Sequence, residues 1–268
     1  MNQQYGCFAV AIDGNVASVL IDNAPTNLMD RAMIAGLVEL VEALETATEL
    51  SVVVFRSTDP DFFIMHADVV GLSQVEPGPY EPVEEANIVA LALQRLHRLP
   101  QVTIGVLDGY ARGGGAEFYG SLDLRFASTR SVLAQPEVPL GILPGATGTV
   151  RLPLHVGRSK ALDFILTGRD VTAAEACEAG WITHVVEGSE LDSVVGDYVG
   201  RLARQPGPAL RAAKRVVDAS LDAIDAAAVI ETNAMRELMC AGVHVEPMQR
   251  FLDAGGQTRA VEADELRW

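Results

Sequence analysis

Cysteine is scarce in this chain. Cys7, Cys177 and Cys240 are odd in number, far apart and in no CxxC pattern. That excludes a disulfide framework and fits free thiols in a reducing cytosol. Basic residues are also short, with 20 Lys and Arg against 36 Asp and Glu and a formal net charge of −16. Such a surplus repels polyanions at long range, so nucleic acid and acidic membranes are excluded as principal partners, while a small anionic ligand on a local basic patch stays allowed. No apolar run approaches the ~18 residues of a membrane span. The opening MNQQYGCF has no basic segment leading into an apolar one, so a soluble cytoplasmic protein without a membrane partner is the expectation.

Several catalytic signatures are missing as well. The five histidines (His66, His97, His155, His184, His244) stand in no HxxxH or HExxH spacing, so no metal site is expected. No serine sits in a GxSxG elbow. Neither glycine-rich stretch has the GxGxxG of a dinucleotide site or the GK[ST] of a P-loop. What remains is acid–base chemistry by carboxylates. The balance of 49% apolar and 21% charged residues is that of an ordinary globular core. A chain of 268 residues suits one α/β unit, with or without a small helical appendage.

Read in order, CFAVAID and NVASVLI flank Asp13-Gly14, which predicts a β-hairpin. After the break at Asn23-Ala24-Pro25, apolar residues at Met33, Leu37, Leu40 and Leu44, widened by Ile34, Val38 and Val41, follow helical spacing. Ser51–Ser57 reads as a buried strand, TDPDFFIMHADVVGL as an oddly apolar loop and VEPGPYEPVEE as a surface segment. A helix over Ala86–Leu99 and a strand over Val102–Asp108 complete a strand–helix alternation, the mark of crossover units and a parallel sheet. LRFAS, SVLAQ and ITHVV read as short strands, and TVRLPLHVG, SKALDFILTG and TAAEACEAG as short helices with glycine stops. Helical patterns follow over Ala209–Leu221 and Ala223–Cys240, with a candidate boundary near Gly200–Pro208.

Chemistry concentrates between Gly109 and Gly145. Gly113, Gly114 and Gly115 open a helix directly after a strand, which lets a ligand approach the backbone and meet unpaired amides. Glu117 lies in the first turn of that helix, where the dipole favours an acid for structural reasons too. Glu137 is held between Pro136, Val138 and Pro139, a rigid and largely apolar setting for a positioned base. Each feature alone also fits a helix cap or a solvated loop.

Their combination is more specific. GYARGGGAE, then QPEVPLGILPGATGTVRL, then VGRSKALDFILTGRDVTAAEACEAGWITHVV resembles the crotonase (enoyl-CoA hydratase/isomerase) superfamily over roughly Ala9 to Val186. The family patterns GYxxGGGxE and QPExxLGxxPGxGG are matched, except that Thr147 replaces the next-to-last glycine. The resemblance implies an α/β fold, a crotonase-like spiral of ββα units over residues 1–200 with a C-terminal helical trimerisation region over 201–268, in a homotrimer or dimer of trimers. It implies an acyl thioester as the small-molecule partner, in the manner of fatty acid metabolism, and no cofactor beyond it. Carried over by position, the backbone N–H groups of Met65 and Gly114 form the oxyanion hole, Glu117 and Glu137 are the catalytic pair, and His66, Ala67 and Asp68 belong to the substrate-binding and CoA-binding loop.

Three departures from the family pattern qualify this. His66 stands where the first oxyanion loop carries glycine. Asn23-Ala24-Pro25 lacks the basic residue often found before the proline, and the tail Phe251–Gly256 lacks the usual lysine–arginine pair. Arg56 and Arg112 are the candidates to replace those cations, and a carrier protein is an alternative bearer of the acyl group. The resulting expectation is an enoyl-CoA hydratase-like lyase. A double-bond isomerase or other thioester-enolate enzyme, or an idle binding protein on the same scaffold, are the alternatives.

Overall fold

The structure, a computed structural model, describes residues 2–69, 71, 86–220 and 253. The predicted hairpin forms from β2 (Phe8–Asp13) and β3 (Val16–Ile21), closed by the Asp13–Val16 pair. An additional strand β1 (Asn2–Tyr5) lies antiparallel to β2. Helix α1 (Arg31–Thr46) starts where the Asp30 carboxylate accepts from Met33 N–H at 2.8 Å, and it buries Met33, Leu37, Leu40, Val41 and Leu44, the stripe its spacing predicts.

From there the chain winds as a repeating unit. Strands β4 (Val52–Ser57), β6 (Val102–Leu107), β8 (Leu124–Ser128) and β11 (His184–Val186) extend the first sheet, all parallel to β3, in the order β1-β2-β3-β4-β6-β8-β11. Each of the first three is followed by a short strand of a second sheet: β5 (Phe62–Ile64), β7 (Tyr110–Arg112) and β9 (Val132–Ala134). These are mutually parallel, and β10 (Val171–Thr172) pairs antiparallel to β9. The mixed α/β spiral is therefore the architecture. Strand β5 falls inside the stretch expected to be a loop. Its odd apolar content is explained by burial: Phe63 and Ile64 are inaccessible, and Phe63 meets Phe118 and Tyr119 edge-on at 5.9 and 5.6 Å.

Helix α2 (Ile88–His97) lies before β6, and α3 (Gly114–Gly120) follows β7. Phe118 of α3 stacks on Phe8 at 6.4 Å and meets Phe55 edge-on at 5.5 Å, so the glycine-opened helix is a centre of the main core. The two short helices expected after Gly148 form α4 (Gly148–Thr167), broken at Gly157 with non-helical φ 74°. Helix α5 (Ala173–Ala179) ends at left-handed Gly180, and α6 (Leu191–Ala203) covers Val52, Val54, Ile104, Val106 and Phe126 on the other face of the large sheet.

The chain divides into two compact units, Met1–Ala203 and Arg204–Trp268. Within the second, α7 (Gly207–Ser220) is described. The surface segment VEPGPYEPVEE, the helix expected over Ala223–Cys240 and the tail Phe251–Gly256, Asp253 excepted, lie outside the described residues. No described helix is long and apolar enough to cross a membrane.

Candidate active site

Three stacked strands deliver the functional segments. The register Phe62–Tyr110–Val132 and Ile64–Ala111–Leu133 aligns β5, β7 and β9, so their carboxyl ends release residues 65–68, 113–117 and 135–137 side by side. A crevice beyond the carboxyl ends of parallel strands is where α/β folds bind ligands.

Glu117 does not face solvent, as a first-turn acid often does. It is 5% exposed, and its Oε1 accepts from Ala146 N–H and Gly148 N–H, each at 2.7 Å. Only glycine fits at 148: a methyl there would lie 2.8 Å from Glu117 Oε1 and 2.6 Å from Pro144 Cβ. Burial raises the Glu117 carboxyl above its ordinary range, against the pull of the two amides. Its second oxygen has no protein partner among the described residues.

Glu137 is 8% exposed and immediately precedes a 3-10 turn, Val138–Leu140. Its carbonyl accepts from Leu140 and Ile142 N–H, which fixes the backbone. The side chain reaches back over the glycine run, and a methyl on Gly113 (φ 49°) would be 2.6 Å from Glu137 Oε1. Glu137 Oε2 is buried without a hydrogen bond among the described residues. Burial first, and then the charge of Glu117, push this carboxyl up to about 7. Two acids thus share one site with opposite surroundings, one cradled by amides and one not.

The amide expectation needs one correction. Met65 N–H donates to Asn27 O at 3.2 Å, so it is already occupied. The reason is a short parallel bridge: Met29 N–H donates to His66 O and Asp68 N–H to Met29 O, which binds one edge of the 65–68 loop to residues 27–29. Ala67 N–H has no acceptor among the described residues, and it lies beside α3, 3.6 Å from where a Gly114 methyl would sit. Gly114 N–H, in the first turn of α3, has no helical acceptor either. Ala67 N–H and Gly114 N–H are thus neighbouring amides that have no acceptor among the described residues.

Asn27 was not singled out from the sequence, yet it organises this loop. It is 1% exposed at φ 52°, its amide donates to Ser57 Oγ, Phe62 O and Phe63 O, and its Oδ1 accepts from Asn23 N–H. An asparagine in a turn between hairpin and helix is the available signal, because asparagine tolerates the left-handed region. His66 is half-buried with Nδ1 2.7 Å from Ala67 O, and its Cβ lies 3.6 Å from a Gly113 methyl position.

The candidate replacement cations are committed elsewhere. Arg112 makes a two-point ion pair with Asp170 at 2.8 and 2.6 Å and stacks over Tyr110, and Arg56 pairs with Asp192 at 2.5 Å. Behind Glu117 lies a small pocket lined by Gln135, Thr147, Arg151, His155 and Trp181. There Arg125 donates to His155 Nδ1 at 3.4 Å, so His155 Nε2 carries the proton it donates to Gly120 O at 2.9 Å. Among the described residues, no group of His, Cys, Asp and Glu could hold a metal ion.

Comparison with known proteins gives the family and the fold. Residues 11–255 match the family model described as enoyl-CoA hydratase/isomerase. YngF of Bacillus subtilis (strain 168), provisionally named an enoyl-CoA hydratase/isomerase, is 30% identical over 226 residues, covering 84% of this chain and 86% of its own. An enoyl-CoA hydratase structure from Geobacillus kaustophilus HTA426 superimposes with TM-score 0.87 at 25% identity, over 95% of this chain and 96% of that one. A provisionally named enoyl-CoA hydratase from Thermobifida fusca YX, solved with acetoacetyl-CoA, gives TM-score 0.77 at 25% identity, over 88% and 96%.

Proposed function

The chain belongs to the enoyl-CoA hydratase/isomerase family, and on that premise we propose that it hydrates an α,β-unsaturated acyl-CoA with Glu117 and Glu137 as its acid–base pair. The observation that carries this reading is the contrast between the two carboxylates. Glu117 Oε1 holds two amide hydrogen bonds, which favour the ionised form, while the buried Glu137 has an unpaired oxygen and stays protonated to about 7.

The thioester oxygen sits against Ala67 N–H and Gly114 N–H. Glu117 takes a proton from water as the water oxygen bonds to Cβ, and the π electrons move onto the thioester oxygen. That negative charge is met by donors needing no reorganisation, each contributing on the order of 3–4 kcal/mol. The enolate then collapses and Cα takes the proton of Glu137. The complex of the Thermobifida relative with acetoacetyl-CoA supports a CoA thioester as the ligand.

The test is a paired assay, following loss of enoyl absorbance with crotonyl-CoA and its gain with a 3-enoyl-CoA. Loss with crotonyl-CoA, reduced by ~10³-fold or more in both Glu117→Gln and Glu137→Gln while acyl-CoA still binds, is the expected result. Turnover of the 3-enoyl substrate alone, surviving in one of the two variants, would make the enzyme an isomerase with a single proton shuttle.

A further inference from the structure

The turn that holds Glu117 contains the least comfortable residue in the described chain. Thr147 is β-branched, yet it stands at φ 83°, ψ 0°. Side chains of that type avoid the left-handed region, and they persist there only where the surroundings over-determine the conformation. Here they do. Thr147 is 6% exposed, its Oγ1 accepts from Arg151 Nε at 3.1 Å, and its carbonyl accepts from Arg151 N–H at 2.8 Å and Val150 N–H at 3.1 Å. The residues before it are tied as well. Asn87 donates to Gly145 O at 2.8 Å and Thr149 Oγ1 to Pro144 O at 3.3 Å.

The consequence falls on Glu117. A left-handed residue lets amides near it point to one side and form a concave seat for a negative oxygen. The amides immediately before and after Thr147 are those of Ala146 and Gly148, and both end on Glu117 Oε1 at 2.7 Å. We propose that Thr147 is a positioning residue for Glu117: its left-handed turn, locked to Arg151, keeps both amides on one carboxylate oxygen and leaves the other oxygen for the reaction. Glycine, which the family pattern carries here, allows the same turn but also many others. Threonine with its hydroxyl tied removes that freedom, so this chain has a stiffer seat for its glutamate than the pattern provides.

The kinetic part of this inference rests on the proposed base role of Glu117, whereas its structural part does not. The test therefore has two readouts. The Glu117 carboxyl is titrated by carbon-13 NMR in the free, glutamate-labelled protein, with the signal assigned by its loss in Glu117→Gln. In parallel, kcat and KM are measured with crotonyl-CoA. The other groups facing Glu117 are Glu137 across the site and Arg151 and His155 from α4, and all three are kept in the variants.

Thr147→Gly keeps a residue suited to the left-handed region, and Thr147→Val keeps the shape without the hydroxyl. In both, the Glu117 midpoint should move to higher pH, and kcat should fall about tenfold or more with KM within about twofold. Thr147→Ser, which keeps the hydroxyl, should restore the wild-type midpoint. Wild-type midpoints in folded Thr147→Gly and Thr147→Val would overturn the inference. A shifted midpoint in a protein that hydrates nothing would uphold it and remove the hydratase reading instead.

Discussion

Glu137 makes the protein less stable as the pH rises, and the effect can be worked out from its surroundings. Burial and the charge of Glu117 lift its carboxyl from 4.5 to about 7. In the unfolded chain it returns to the ordinary value, so between these limits the native state binds more protons than the unfolded state. By linkage, stability then falls as pH rises through that window, and the loss is complete above about 7. The gap corresponds to at most ~3 kcal/mol. In a chain of this size each kcal/mol moves the melting midpoint by ~2–3 °C. Glu137→Gln keeps the shape and has nothing to ionise, so it removes this carboxyl's titration together with its coupling to the charge of Glu117. Calorimetry of wild type and variant, at one protein concentration, should show the variant's advantage growing by ~5–8 °C from about pH 5 to about pH 8. The substitution that steadies the fold should be the one that abolishes hydration. Parallel midpoint curves for the two proteins would refute the claim that Glu137 is held protonated by its surroundings.

Two further outcomes follow from the same site. Gly148→Ala puts a methyl 2.8 Å from Glu117 Oε1, so crotonyl-CoA hydration should drop by ~10²-fold with an unchanged far-ultraviolet circular dichroism spectrum. On the acid side, burial, with Arg125 next, pushes His155 from 6.5 down to about 3. The unfolded chain protonates it first, so stability is lost as pH falls below about 6.5, and His155→Gln should flatten the acid limb of the midpoint–pH curve.

What could be read in the sequence was what is local. The stripe Met33–Leu37–Leu40–Leu44 predicts its helix because period and burial coincide, and Asp13-Gly14 marks its hairpin by turn chemistry alone. Strand β5 was not legible: Phe62–Ile64 is too short to show a period, and its strand character comes from pairing with Tyr110–Arg112, far along the chain. The same limit explains the amide. A motif locates the loop 65–68, but which of its N–H groups is consumed depends on Asn27 and Met29 across the bridge. Arg56 and Arg112 likewise look available in the sequence until Asp192 and Asp170 arrive from distant elements. The patterns single out the two glutamates, but not their unequal surroundings, which are set by the amides of Ala146 and Gly148 and by the lack of a partner for Glu137 Oε2 among the described residues.

The contact between Glu117 and Gly148 also limits what residue 148 can become. Oε1 lies at ordinary bond-forming reach of the Gly148 amide, but inside the radius of any carbon attached to the same residue. A side chain at 148 is therefore blocked for as long as the glutamate is in place. Pro144 Cβ, 2.6 Å from the same position, blocks it a second time, so shortening Glu117 alone does not open the site to a side chain. Residue 148 is thus held to glycine from two sides, by the acid it binds and by the proline that shapes the turn.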